Sequence, residues 1–311
     1  MAASHYLAWH RKRRLILAPR ASLGLWSYWS MDETEEIKID LETEAPEPAT
    51  SAETRASFTK ISARGYTQLR HVLVQLPDGK ERGSTVGRMV SRRRHRALLL
   101  YLLILTCWPW LKDRTVPLSA QVWLRALTAK NALTWSNSTL SRALGDLEQM
   151  ELIEPRERVG RAVRIVPRRE DGGAEYTAPE GRTDRYNTYF TLPDSFWNDE
   201  IFAKLSLPGL AMLLVIAKET SKNSEMYVPH ELGSPWYGLK PGTVKNGIDE
   251  LRRLEMLNER TEWRKAPLSA IGHAPRIWYS LRADYSQEAR KYVQDASKAD
   301  RENRLKSRAA R

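Results

Sequence analysis

One helical pattern occurs twice in this chain, and it limits the fold more than any other feature of the sequence. Residues 136–153 align without a gap on residues 240–257: Thr139 matches Thr243, Leu147 matches Leu251 and Glu151 matches Glu255. The apolar positions Leu140, Leu144, Met150, Leu152 and Ile153 fall on Val244, Ile248, Leu254, Met256 and Leu257. Leu140, Leu144 and Leu147, like Val244, Ile248 and Leu251, recur at the spacing that places them on one helical face. Each copy therefore predicts an amphipathic helix with a short apolar exit. Each also needs an apolar surface supplied by the elements before it.

Those elements stand in matching order. Before the first copy come the apolar run 97–111 and residues 117–127, where Pro117 is placed to open a helix. Before the second, Ser206 can cap a buried helix through residues 210–216. Tyr227-Val228-Pro229 then suggests a small strand, residues 230–236 a broken helix, and Pro241 the first turn of the next. Each copy is followed by a basic hairpin: residues 154–166 turning at Gly160, and a longer one, 259–281, whose loop holds Pro267, Gly272 and Pro275. Residues 69–76 read as a strand that turns at 77–80 toward a weak second strand near Thr85, and 186–193 as an aromatic strand. The expected fold class is mainly α with small β-hairpins (α+β). The expected division is an acidic, disordered extension (1–63), a first domain with its preceding β-hairpin (64–168), a linker (169–185), a second domain (186–284) and a basic tail (285–311).

The net charge of +12 is unevenly spread. Residues 1–30 are basic and 31–54 acidic, so the remainder is more basic than the total indicates and suits a polyanionic partner. The break at Met31 suggests that translation begins there. The single cysteine, Cys107, can form no intramolecular disulfide, which fits a reducing cytoplasm. The run 97–111 is interrupted by Pro109 and falls short of the roughly 18–20 residues of a membrane span. It reads as a core helix, and no membrane partner is expected. There is no Gly-rich phosphate loop with Lys and no zinc-type Cys/His spacing, so a non-enzymatic protein without cofactor, metal or small-molecule ligand is expected.

The polar flanks of the two helices carry the chemistry. The first presents Asn137, Ser138, Ser141 and Arg142, and the second Lys240, Lys245 and Asn246. Arg makes a bidentate contact to guanine and Asn to adenine in a major groove. Ser138 and Gly242 are small enough for close approach, while Thr139 and Thr243 suit either a phosphate at the positive helix end or a capping role. Asp249 weakens the second surface, because a carboxylate repels phosphate unless it reads cytosine. Arg158, Arg161 and Arg164 crowd around Gly160, and Arg264, Lys265, His273 and Arg276 flank the second loop, all expected on phosphates or in a minor groove.

These residues resemble the winged helix-turn-helix superfamily. Ser138-Thr139-Leu140-Ser141-Arg142-Ala143-Leu144 with Leu147-Glu148 and Leu152-Ile153 looks like the recognition helix of many bacterial regulators, and the resemblance covers about 92–168 and 186–281. Tyr189-Phe190-Thr191-Leu192-Pro193, Leu205-Ser206 and the second repeat are similar to the DNA-binding part of plasmid replication initiators, although the long hairpin and the broken helix depart from that pattern. The resemblance implies two winged helix-turn-helix domains, double-stranded DNA as partner, and transcriptional regulation from a nucleoid-associated, cytoplasmic position. The alternative is a replication initiator or replication-associated protein of a plasmid, phage or integrated element. Two recognition helices let a monomer read two half-sites, with a dimer also open. A winged-helix scaffold for protein contacts is the competing class.

Overall fold

The computed structural model describes residues 47–130, 132–160, 162–181, 184–228 and 233–309. They form α1 (Ser51–Ser62), β1 (Tyr66–Arg70), α2 (Thr85–Ser91), α3 (His95–Leu111), α4 (Ala120–Leu127), α5 (Asn137–Gln149), β2 (Glu157–Val159), β3 (Ala162–Arg164) and β4 (Tyr189–Pro193). The order continues with α6 (Ser195–Asn198), α7 (Ile201–Lys204), α8 (Leu207–Glu219), β5 (Met226–Tyr227), α9 (Gly233–Tyr237), α10 (Pro241–Arg253), β6 (Leu257–Lys265), β7 (His273–Leu281) and α11 (Gln287–Ala309). The class is α+β, with small antiparallel sheets β1–β4, β2–β3 and β5–β7–β6.

Two helices are apolar all round and are buried accordingly. Every side chain of α3 from Ala97 to Cys107 is buried, as is every residue of α8 from Gly209 to Ala217. Ser206 caps α8 by accepting from the Gly209 N–H, and Pro208 occupies its first turn. α5 lays Leu140, Ala143, Leu144 and Leu147 toward α3 and α4, and α10 lays Val244, Gly247, Ile248 and Leu251 toward α8. A Cβ on Gly247 would stand 2.4 Å from the Pro208 carbonyl and from Met212, so α10 approaches α8 more closely than the matching Ala143 allows α5.

The two halves share one continuous core, and residues 48–311 form a single compact unit. β1 pairs with β4 from Tyr66 opposite Pro193 to Arg70 opposite Tyr189, so the sheet is made of one strand from each half. Arg70, fully buried at its end, donates from its backbone N–H to Glu170 Oε1 at 3.1 Å and from Nη1 to Oε2 at 2.9 Å. Its Nε reaches Asn187 Oδ1 at 3.1 Å and its Nη2 the Thr177 carbonyl at 2.7 Å. Burial pushes the Glu170 carboxyl up, against the pull of the Arg70 guanidinium. Nearby, Thr106 Oγ1 bonds Thr67 Oγ1 at 2.7 Å and accepts from Trp197 Nε1 at 3.0 Å. Gly83 and Gly87 bring α2 onto the Tyr237–Gly238 backbone, where a Cβ on either would collide at 2.6 and 2.4 Å.

Several sequence expectations are revised. Residues 69–76 are strand only as far as Arg70, where the chain turns through His71–Leu73. The expected turn at 77–80 is present, closed by an antiparallel bridge of Gln75 to Gly83 and by the Leu76 N–H on the Arg82 carbonyl at 2.8 Å, but Thr85 opens helix α2 in place of a second strand. Val72, Leu73 and Val74 are all buried, a run covered on both sides rather than an alternating strand. The segment 169–185, expected as a linker, carries the buried Glu170 and Gly172. Part of the extension expected to be disordered is α1, whose capping box joins the Glu53 N–H to Thr50 Oγ1 at 3.2 Å and the Thr50 N–H to the Glu53 carboxylate at 2.7 Å. α1 then buries Phe58 beside Trp110 and Trp123, and Arg55 pairs with Glu200. Met31 and the acidic segment up to residue 46 lie outside the described residues. The basic tail is α11, docked by Arg290, which donates to the Ala217 carbonyl at 2.8 Å and the Thr220 carbonyl at 3.1 Å at the end of α8. No helix among the described residues is long and apolar enough to cross a membrane.

Removing one partner of the buried pair leaves the other charge uncompensated. Arg70→Met is expected to lower unfolding stability by about 3–5 kcal/mol, measured by urea denaturation. A loss below about 1 kcal/mol, the range of surface ion pairs, would show that the pair does not hold the halves together.

Candidate nucleic-acid interface

The two repeat helices end in the same way, bond for bond. In the first, Glu151 adopts a left-handed φ of 57°, its N–H donates to the Glu148 carbonyl at 3.0 Å, and the Leu152 N–H reaches back to Leu147 at 2.9 Å. In the second, Glu255 has φ 56°, its N–H donates to Arg252 at 3.0 Å, and Met256 reaches back to Leu251 at 3.0 Å. Both are Schellman closures with a non-glycine residue in the strained position. The returning strands also dock alike, because Arg168 N–H donates to the Leu152 carbonyl at 2.8 Å and Arg282 N–H to the Met256 carbonyl at 3.0 Å. The repeat is thus a shared frame of helix, turn and hairpin root. The hairpins themselves differ in length, three paired residues per strand in β2–β3 and nine in β6–β7.

In the first unit the frame sorts side chains as the spacing requires. Leu140 is buried, whereas Asn137, Ser138, Ser141 and Arg142 are exposed along α5. Ser136 is the cap, accepting from the Thr139 N–H at 3.2 Å, and Thr139 is half-buried with its hydroxyl 2.9 Å from Ser136 Oγ. Thr139 is therefore not the capping residue. Gly145 lies on the outer side with nothing within 4 Å of a Cβ built on it, so the packing does not require glycine there. Arg158 is exposed on β2. Arg164 is half-buried, donating to the Thr115 carbonyl at 2.9 Å and standing 3.5 Å from Glu157. Arg161 lies outside the described residues. A cavity of about 380 Å³ opens between α4, α5 and the β2–β3 hairpin, with Asn137, Ser141 and Arg158 at its edge and Trp123, Leu140 and Ile165 among its lining.

The second unit has the same frame and a more self-neutralised surface. Val244 is buried, while Lys240, Gly242, Lys245 and Asn246 are exposed. Lys240 occupies the cap position, but only its carbonyl takes part, accepting from the half-buried Thr243 N–H at 2.8 Å. Asp249 pairs with Lys245 at 3.2 Å and with Arg252 at 2.5 Å, and those hydrogen bonds hold its carboxyl below its ordinary value. On the hairpin, Lys265 and His273 are exposed, and Arg264 is 3.3 Å from Glu262. Arg276 is not a free cation: its guanidinium lies over Tyr227 at 4.2 Å and Trp278 at 5.4 Å.

Two exposed cations that the spacing did not single out join this surface. Arg92 and Arg93 form the turn between α2 and α3, immediately before Arg94, which pairs with Asp146 on α5 at 3.2 Å. His95 follows; burial lowers its ring's proton affinity, and Arg96 and Glu250 act on it in opposite senses. The start of α3 is thus tied to α5 through Arg94. The signal was the run 92–96, which beside an apolar helix reads as a flank rather than as a contact surface. Compared with protein-family models, curated proteins and solved structures, the chain matches none.

An open helical glycine weakens its own helix. Gly145→Ala is expected to raise stability by about 0.5–1 kcal/mol in thermal melting. If α5 meets a groove at this face, the same variant binds duplex DNA more weakly, and unchanged binding would place the contact elsewhere.

Proposed function

We propose that this chain is a sequence-specific, double-stranded-DNA-binding protein built from two winged helix-turn-helix units, and that it regulates transcription. The observation that carries this reading is the matched pair of frames. In each, an amphipathic helix hides its apolar stripe, ends in the same strained closure and leads into a hairpin bearing basic residues. Arg142 and Asn246, the side chains suited to guanine and adenine, stand on the exposed faces of those helices. Arg92, Arg93 and Arg158 add cations suited to phosphate. No chemistry beyond binding is assigned to the chain.

The second reading is a replication initiator or replication-associated protein of a plasmid, phage or integrated element. It is favoured by the part played by the initiator-like residues: Tyr189–Pro193 is the strand that binds the halves together, and Leu205-Ser206 opens the buried helix α8. Mapping bound sites in a genome separates the two readings. Promoter sites support regulation, and repeated arrays at an origin support initiation.

DNA affinity is expected to fall steeply with salt, with a log–log slope of about −0.9 for each phosphate neutralised. Arg142→Ala should relax sequence preference at one position, costing about 1–3 kcal/mol against the preferred base. Fluorescence anisotropy with duplex competitors measures both. Affinity that is absent or insensitive to salt would favour the protein-contact scaffold instead.

A further inference from the structure

The β6–β7 hairpin ends in an ordered apolar tip for which the helix faces give no use. Its strands stay paired from Leu257 opposite Leu281 to Lys265 opposite His273, carrying the loop about 30 Å along the hairpin axis. The loop is closed by its own hydrogen bonds. Ala266 N–H donates to the Gly272 carbonyl at 2.9 Å, Ser269 N–H to Ala266 at 2.9 Å, and Gly272 N–H to Ser269 at 3.1 Å. The Ser269 hydroxyl donates to the His273 carbonyl at 3.0 Å, and Gly272 takes the left-handed φ of 73° that closure needs.

This closure turns apolar side chains outward. Leu268 is 103% exposed, Ile271 66% and Trp263 60%, with Trp263 edge-on to His273 at 5.0 Å. Exposed apolar groups gathered at one place mark a contact surface. Directly behind them stand Lys265, His273 and Arg264, the last 3.3 Å from Glu262, and no acidic residue occurs between Glu262 and Asp284. An apolar point backed by the cations Arg264 and Lys265 and the hydrogen-bonding ring of His273 complements a base stack lying between two phosphate backbones.

We infer that the tip is a wedge for duplex DNA. Leu268 and Ile271 enter a base step from the minor groove, Arg264, Lys265 and His273 hold the flanking phosphates, and the unstacked step bends the duplex. This inference rests on the DNA-binding reading and assigns the second hairpin a role distinct from base reading by α10.

The test uses the full chain and a short A·T-rich duplex with dyes at both ends and a fluorescent adenine analogue at its central step. Binding is expected to raise the analogue's emission, as unstacking does, and to bring the ends closer together. The double variant Leu268→Ser, Ile271→Ser alters only exposed side chains, and its fold is checked by circular dichroism and thermal melting. It is expected to retain salt-dependent binding at about tenfold lower affinity and to lose both optical signals. Unchanged signals from the variant would overturn the wedge. So would a preference of the unmodified chain for phosphatidylserine vesicles over the duplex that these substitutions abolish. Failure of the unmodified chain to bind duplex in a salt-dependent way would overturn the DNA reading and the wedge together.

Discussion

The pairing of β1 with β4 is the constraint on which the arrangement of this protein depends. Among the described residues neither strand has another partner, so the sheet exists only when residues far apart in the chain meet. Arg70 seals its end by gathering Glu170, Asn187 and Thr177, all from the segment that leads toward β4. A buried pair of this kind adds little net stability over an apolar replacement, but it is costly to break from one side. It therefore penalises misdocking of the halves more than it adds to the depth of the native state. The close backbone contact of Gly83 and Gly87 with Tyr237–Gly238 imposes a second such demand, since neither position tolerates a side chain.

Because the halves are locked, the two repeat helices are held in one relation. The start of α3 is fastened to the first of them, with Arg94 on Asp146 of α5. The copies share a frame and differ in what they present. α5 offers an open Gly145 and an exposed Arg142, whereas Asp249 at the position matching Gly145 ties up Lys245 and Arg252. On the proposed reading the first unit reads bases mainly through its helix, and the second engages DNA more through its long hairpin.

Much of the local structure was legible in the sequence. The repeat marked both amphipathic helices, their buried stripes and the apolar exits, because a period of 3.6 residues leaves a direct trace in residue order. The shared closure at Glu151 and Glu255 was seen only in the structure, because a left-handed φ on a non-glycine residue leaves no mark in residue order. What the sequence did not disclose is long-range. A strand such as β1 carries no mark of a partner more than a hundred residues away, so residues 69–76 suggested a local hairpin instead. The polar composition of 169–185 suggested a linker, because the burial of Glu170 depends on Arg70 arriving from elsewhere. α1 did carry a local sign, the Thr50-x-x-Glu53 capping box, which the surrounding acidic residues obscured. At the candidate site, exposure of Arg142 and Asn246 followed from periodicity, whereas the stacking of Arg276 on Tyr227 required the β5–β7 pairing to be known.

The central claim is that one chain holds two groove-facing helices at a fixed separation. Selection of bound sequences from a randomised duplex library, with the full chain, tests it most directly. Enriched duplexes are expected to contain two distinct half-sites at a single spacing, because the locked halves cannot adjust. Half-sites at freely varying spacing would contradict the rigid coupling, and the absence of any enriched sequence would contradict the groove-reading role of the repeats.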